Sequence, residues 1–123
     1  MSEANDRGQQ PRGDDYCYLT TTGRRTGTPH RIEIWYAADG RTVYLLSGGG
    51  RSADWVQNLA VDPSVLAEIG GEVRRGRARL LDAGDEDARA RSMVFDKYSS
   101  RSGSDLTEWR QRALPVAIDL DDA

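Results

Sequence analysis

Three side chains that often carry chemistry are almost missing from this chain of 123 residues, which has one cysteine, one histidine and one lysine. Cys17 has no second cysteine for an internal disulfide, and no metal-ligand spacing surrounds it. A single histidine, His30, argues against a zinc site built on imidazoles. We find neither a Gly-x-Ser-x-Gly elbow nor a supported Cys–His pair. We therefore expect no catalytic side chain and no metal, so that an enzyme of this sequence would rely on a cofactor.

Long apolar segments are also lacking. No run approaches the roughly 18–20 residues that a membrane span requires, and residues 1–15 lack the apolar core of a signal peptide. We therefore expect a cytoplasmic chain without stable membrane insertion. The net charge of −3 argues against a general nucleic-acid binder, and we expect no nucleic-acid partner.

Basic charge is carried almost wholly by arginine, because Lys97 is the one exception among 17 basic residues. Codon usage in a GC-rich genome is one explanation. The other is that some arginines bind planar anions, which a guanidinium contacts through two parallel hydrogen bonds.

Hairpin signals dominate the chain after residues 1–14, which we predict to be a disordered arm ahead of a single domain at 15–121. The fold class predicted is mainly β with short helices. Alternating apolar residues predict about six strands, mostly antiparallel: Tyr16–Thr22, His30–Tyr36, Thr42–Ser47, Ser64–Ile69, Glu72–Ala83 and Leu114–Leu120. Consecutive hairpins in so short a chain favour a small closed or partly closed barrel.

Short helices are predicted after the third strand. The first is capped by Ser52 and ends before Pro63. The second carries an apolar stripe of Ala90, Met93, Val94 and Tyr98. A loop at Ser99–Ser104 and a third helix at Asp105–Arg112 follow.

Two segments suit an anionic ligand. Arg24 and Arg25 lie in a turn between Gly23 and Gly27, where glycine allows close approach of a ligand. The run SGGGRSADW then leads glycine-rich backbone into a helix start, which can direct N–H groups at an anion. A solvated hairpin turn and a flexible connector explain the same residues without a ligand.

Other residues have two interpretations each. Trp35 and Trp55 suit either core packing or a cavity wall, and Asn58 is either an amide contact or an exposed helix residue. The arginines at 75, 77 and 79 share one strand face, which indicates either a solvated face or a small nucleic-acid-binding barrel.

The order of four motifs resembles a known family. TTTGRRTGTPHRIEIWY, DGRTVYLLSGGG, DWVQNLAVDPSV and ALPVAIDL are similar to the deazaflavin-dependent nitroreductases, also described as quinone reductases using coenzyme F-420. The resemblance covers about residues 16–120. It implies a split β-barrel of the FMN-binding type. It also implies a cofactor with a planar 8-hydroxy-5-deazaflavin head and a polyanionic tail of phosphodiester and glutamates.

The resemblance also implies site residues. Cofactor contacts fall on Arg24, Arg25, Thr26, His30, Ile34, Trp35, Leu46, Ser47, Gly48, Gly49, Arg51, Asp54, Trp55 and Asn58. Arg51 stands where relatives tend to carry a lysine, and Trp35 and Tyr98 match the substrate side.

The activity implied is hydride transfer from the reduced deazaflavin to a small electron-poor acceptor such as a quinone, enone or nitroaromatic. The chain would act as a monomer or homodimer. The alternatives are a barrel that binds flavin mononucleotide (FMN) or a haem-type cofactor without this catalysis, and the nucleic-acid-binding barrel.

Overall fold

A computed structural model describes residues 16–81, 83–102 and 107–121, so the predicted arm at 1–14 lies outside the described residues. The strands are β1 (Cys17–Thr22), β2 (Pro29–Ile34), β3 (Tyr36–Asp39), β4 (Thr42–Ser47), β5 (Ser64–Ile69), β6 (Glu72–Leu80) and β7 (Leu114–Leu120). The helices are α1 (Asp54–Val61), α2 (Asp85–Ser102) and α3 (Thr107–Arg112), and a 3₁₀ turn spans Gly50–Ser52.

All seven strands form one antiparallel sheet in the order β2-β1-β5-β6-β7-β4-β3. β2 and β3 lie at opposite ends of this order, yet only Trp35 separates them along the chain. Two Cα–Cα steps span about 7 Å, so the two ends of the sheet must approach each other here. The sheet therefore curls into a half-barrel with its seam at Trp35.

The concave side of the sheet is filled by alternate apolar residues of the strands. Cys17 and Leu19 of β1 are fully buried there, together with Val43, Leu45, Val65, Ala67, Val116 and Ile118 from the other strands. Leu59 of α1 packs onto this core. Burial raises the pKa of the Cys17 thiol to about 11, so it stays protonated at neutral pH and acts as a small apolar residue.

A second core lies between α2 and the sheet. The stripe of α2 that the sequence indicates, Ala90, Val94 and Tyr98, is buried against β3, β4 and β7. Tyr44, Leu46 and Ala117 contribute from the strands. β4 is thus buried on both faces, which agrees with its nearly continuous apolar sequence.

Arg79 of β6 forms ion pairs with the start of α2 and with β7. Its guanidinium donates to both carboxylate oxygens of Glu86, at 2.9 and 3.0 Å, and to both of Asp119, at 2.6 and 3.1 Å. Tyr44 Oη also donates to Glu86, at 2.9 Å. The Arg79 hydrogen bond, followed by that of Tyr44, lowers the pKa of Glu86 to about 2. One arginine of the 75/77/79 face is therefore paired with carboxylates.

Three local predictions were wrong. His30–Tyr36 is not one strand, because β2 ends at Ile34 and the chain resumes as β3 after Trp35. The described residues therefore contain seven strands. Ser52 does not cap α1, because Ser52 belongs to the 3₁₀ turn and Ala53 occupies the cap position without a side-chain bond. The predicted loop at Ser99–Ser104 is helical up to Ser102, while residues 103–106 lie outside the described residues.

Candidate cofactor-binding cleft

An open cleft of about 530 Å³ lies where the β1–β2 turn meets the first turn of α1. It is lined by Gly23, Arg24, Arg25, Thr26, His30, Arg31, Ile32, Asp54, Trp55 and Asn58. Three arginines and one aspartate give the lining a positive balance, while Trp55 and Ile32 supply apolar surface. The cleft therefore combines a basic part with an apolar part.

Glycines determine the shape of the β1–β2 turn. Gly23 N–H donates to Thr28 O at 2.8 Å, and Gly27 N–H donates to Gly23 O at 2.9 Å. Gly27 has a φ of +77°, which favours glycine. A Cβ on Gly23 would lie 2.7 Å from Nε2 of His30 and 3.0 Å from Thr28 O, so only glycine lets the imidazole pack against the turn.

Arg24 joins the turn to α1. Its Nη1 donates to Asn58 Oδ1 at 2.9 Å and to the Asp54 carbonyl oxygen at 3.3 Å. Nη2 donates to Asp54 Oδ1, also at 3.3 Å. The Arg24 backbone N–H donates to the same Asn58 Oδ1 at 3.2 Å. The turn and the helix start, which are about thirty residues apart in sequence, thus act as one wall of the cleft.

Asn58 is held from its other side as well. Its Nδ2 donates to Thr21 Oγ1 at 3.1 Å, and Thr21 is itself buried in β1. The Asn58 side chain is only 4% exposed. The buried amide therefore links β1, the turn and α1, instead of lying exposed on the helix surface.

Arg25 and Arg31 differ from Arg24 in their partners. Arg31 pairs with Glu68 at 3.2 Å and lies 4.2 Å over the ring of Tyr18. Arg25 is exposed, and its guanidinium has no hydrogen bond or ion pair with any residue that the structure describes. Among the described residues, Arg25 is therefore the turn arginine whose donors are available to a ligand.

The glycine loop after β4 lies outside this lining. Leu46 is buried in the second core, and the buried Ser47 Oγ donates to Gly50 O at 3.0 Å. Gly48 and Gly49 are exposed, and a Cβ on Gly48 would lie 3.2 Å from Trp109 Nε1. Arg51 is exposed on the 3₁₀ turn. These residues therefore do not line the arginine cleft.

An aromatic cluster surrounds the seam of the barrel. Trp35 stacks on Tyr98, with ring centroids 4.4 Å apart, and meets the edge of Trp109 at 5.6 Å. Tyr98 Oη accepts a hydrogen bond from the Tyr36 backbone N–H at 3.2 Å. The ammonium of Lys97 lies 3.4 Å from the Tyr36 ring centroid. Trp35 and Tyr98, which the family resemblance places on the substrate side, are thus in direct contact.

Half of the predicted cofactor contacts share the cleft: Arg24, Arg25, Thr26, His30, Asp54, Trp55 and Asn58. The rest, Ile34, Trp35, Leu46, Ser47, Gly48, Gly49 and Arg51, do not line it. The resemblance also implies that the strand His30–Trp35 runs beside the cofactor, and its Arg31 and Ile32 line the cleft, whereas sequence reasoning did not single out Trp109. The alternation of β2 already placed Arg31 on the outer face, but Trp109 gave no local signal beyond its place in a short helix.

The described ranges lack two further features. Residues 16–81, 83–102 and 107–121 contain no helix with the length and apolar character of a membrane span. In the same ranges no three carboxylate, thiol or imidazole groups converge as a metal site would require.

Comparison with solved structures defines the class of fold. An F420-H2 dependent reductase has a TM-score of 0.70 at 19% identity, covering 87% of this chain and 94% of that chain. HutZ, the haem storage protein of Vibrio cholerae, has a TM-score of 0.69 at 13% identity, covering 89% of this chain and 84% of its own. The fold is a split β-barrel of the kind used by flavin and F420 reductases, as predicted.

Sequence comparison identifies the family within that class. The family model of the F420H(2)-dependent quinone reductases matches residues 1–121. An F420H(2)-dependent quinone reductase of Mycobacterium tuberculosis is 24% identical over 103 residues, which are 81% of this chain and 69% of the relative. The chain belongs to the F420H(2)-dependent quinone reductase family. It is an F420-dependent oxidoreductase, and coenzyme F420 is its cofactor.

Proposed function

We propose that this protein binds the deazaflavin across the arginine-lined cleft and reduces small, flat, electron-poor acceptors, with quinones as the principal class. The observation that carries the proposal is the Arg25 guanidinium, exposed beside the cleft without a partner in the described residues. An anionic ligand bound at the cleft would supply the counter-charge for this guanidinium.

The residues of the cleft suit both parts of such a cofactor. Guanidinium groups favour phosphate and carboxylate oxygens, which the phosphodiester and glutamates of the tail supply. Trp55 and Ile32 offer apolar surface of the kind that packs against a planar ring. Asp54 is the one acidic side chain of the lining, and Arg24 neutralises it at 3.3 Å.

The bound cofactor supplies hydride chemistry, and the protein supplies position. Arg25 and Thr26 would hold the anionic tail at the turn, so that binding energy far from the reacting atoms orients the ring. The His30 imidazole, packed against Gly23, would form the wall between the tail and the ring. Trp55 would exclude water from one face of the ring. Holding ring and acceptor together makes the transfer effectively unimolecular.

The aromatic cluster is the proposed acceptor side. Trp35 and Trp109 are partly exposed at the seam between β2 and β3, and the buried Tyr98 supports Trp35 by stacking on it. Offset stacking and edge contacts between rings are worth about 0.5–1.5 kcal/mol each, which suits selection of flat acceptors. A quinone, enone or nitroaromatic meets this requirement, and a bulky aliphatic acceptor does not.

Two measurements test the proposal. Fluorescence titration with oxidised coenzyme F420, with FMN titrated in parallel, should show preferential binding of the deazaflavin. Steady-state oxidation of the reduced cofactor should be faster with a naphthoquinone than with a bulky, non-planar aliphatic acceptor of similar reduction potential. Equal rates with both acceptors, or tighter binding of FMN, would contradict the proposal.

A further inference from the structure

The contact between Asn58 and Arg24 indicates that Arg24 and its neighbour Arg25 have different roles. We propose that Asn58 and Arg24 form a strut that fixes the β1–β2 turn on α1, and that both set cofactor affinity as positioning residues. Arg25 alone of the pair then contacts the anionic tail. The inference rests on the proposed function and replaces the direct cofactor contacts that the family resemblance implies for Arg24 and Asn58.

Both polar atoms of the Asn58 amide already have hydrogen-bond partners within the protein. Its oxygen accepts from the backbone N–H and Nη1 of Arg24, and its nitrogen donates to Thr21 Oγ1. With 4% of Asn58 and 1% of Thr21 exposed, little of either side chain remains for a ligand to touch. A buried polar group with satisfied hydrogen bonds gains little by exchanging them for a ligand.

The guanidinium of Arg24 is committed as well. Two of its nitrogens donate to three oxygens of Asp54 and Asn58, and its side chain is only 21% exposed. Asp54 opposes part of its charge. Arg25 is the next residue and has the reverse properties, because it is exposed and has no partner in the described residues.

The strut makes the position of Arg25 depend on α1. The turn is closed internally by the Gly23–Thr28 and Gly27–Gly23 hydrogen bonds, but these do not attach it to the helix. The bonds of Arg24 to Asn58 and Asp54 attach the turn to α1. Without them the cofactor would have to order the turn on binding, and that ordering lowers the affinity.

A comparison of asparagine and aspartate at position 58 distinguishes a positioning role from a direct contact with the anionic tail. In Asn58→Asp the carboxylate still accepts both Arg24 N–H groups, and the Thr21 hydroxyl can rotate to donate. Asn58→Ala removes the strut. We expect Asn58→Ala to weaken binding of oxidised coenzyme F420 about tenfold, and Asn58→Asp to recover most of that loss. A direct contact with the anionic tail predicts the opposite order, because the carboxylate would repel the tail.

Titrations at about 0.5 M salt screen the general effect of the added charge. Arg24→Ala removes the side-chain bonds of the strut, and leaves the backbone N–H bond to Asn58 and the Asn58–Thr21 bond intact. The double variant Arg24→Ala/Asn58→Ala should lose less affinity than the sum of the two single losses, since both single variants remove the same Arg24 Nη1–Asn58 bond. Additive losses in the double variant would overturn the inference.

A readout on the free protein separates this inference from the proposed function. Amide hydrogen exchange of the Arg24 N–H should be faster in Asn58→Ala than in the wild-type protein or in Asn58→Asp. Unchanged exchange in Asn58→Ala would refute the strut whatever the cofactor does. If wild-type protein fails to bind the deazaflavin, the proposed function falls, and the exchange result still decides the strut.

Discussion

Trp35 stacks on Tyr98 with the two ring planes 3° from parallel, at the single residue that joins the two edges of the sheet. The contact ties the seam of the barrel to α2. The third ring of the cluster, Trp109, makes an edge contact with Trp35. Trp109 of α3 therefore forms one side of the aromatic surface to which we assign the acceptor.

Truncation of Trp109 tests that assignment. Trp109→Ala removes the edge contact with Trp35, so we expect the KM for a naphthoquinone to rise about two- to tenfold. The dissociation constant of oxidised coenzyme F420 should stay the same, because Trp109 does not line the arginine cleft. Trp109→Phe keeps an aromatic edge and serves as the control. A changed cofactor affinity with an unchanged KM would place the acceptor elsewhere.

A methyl group on Gly23 should disturb the cleft. In Gly23→Ala the new Cβ would lie 2.7 Å from the His30 ring and 3.0 Å from Thr28 O, so the ring and the turn must shift. We expect a loss of about 1–3 kcal/mol in the free energy of unfolding, together with weaker cofactor binding. Thermal unfolding and fluorescence titration measure the two effects.

Gly76→Ala is the matched control for that experiment. Its Cβ would meet Ile118 Cγ2 at 2.7 Å and Asp119 O at 3.0 Å in the barrel wall, and Gly76 does not line the arginine cleft. It should therefore lower the melting temperature while the folded protein keeps its cofactor affinity. Equal losses of affinity in both variants would show that the effect of Gly23→Ala is a general one.

The Arg79–Glu86 pair predicts a pH dependence of stability. The folded pKa of Glu86, about 2, lies below its ordinary value of 4.5. A lowered carboxyl pKa means that the stabilisation is present above pH 4.5 and is lost as the pH falls toward 2. Glu86 is partly exposed, so the contribution should be about 1 kcal/mol or less.

Urea unfolding of the wild type and Glu86→Gln measures this contribution. The wild type should be more stable than the variant near pH 7, and the difference should shrink between pH 4.5 and 2. Asp119, whose pKa is also lowered chiefly by Arg79, remains in both proteins and serves as an internal reference. A difference that stays constant with pH would rule out the charge pair as its source.

Local patterns in the sequence were sufficient for most of the strands. Period-two alternation identified β1, β4, β5, β6 and β7 because each buries one or both faces against a continuous core. It could not reveal the break at Trp35, since apolar alternation continues through Ile34 and Tyr36. The break arises from closure of the sheet, which is a property of the whole fold.

The cleft was predictable in part for a similar reason. Arg24, Arg25 and Thr26 are adjacent in one turn, so their proximity is local information. The hydrogen bond between Arg24 and Asn58 joins residues 34 positions apart, and neither residue type predicts that the other is its partner. Sequence reasoning therefore found the cation-rich turn without detecting that one of its arginines is committed to α1.

The fluorescence titration of oxidised coenzyme F420 with Arg25→Ala and Arg77→Ala tests the central claim most directly. Arg77 is an exposed arginine of β6 outside the cleft, so both variants lose one positive charge, but only the first loses a cleft donor. We expect Arg25→Ala to bind about tenfold or more weakly, with a smaller dependence of affinity on salt, and Arg77→Ala to bind like the wild type. Equal affinities for all three proteins would contradict the assignment of the arginine turn to the cofactor tail.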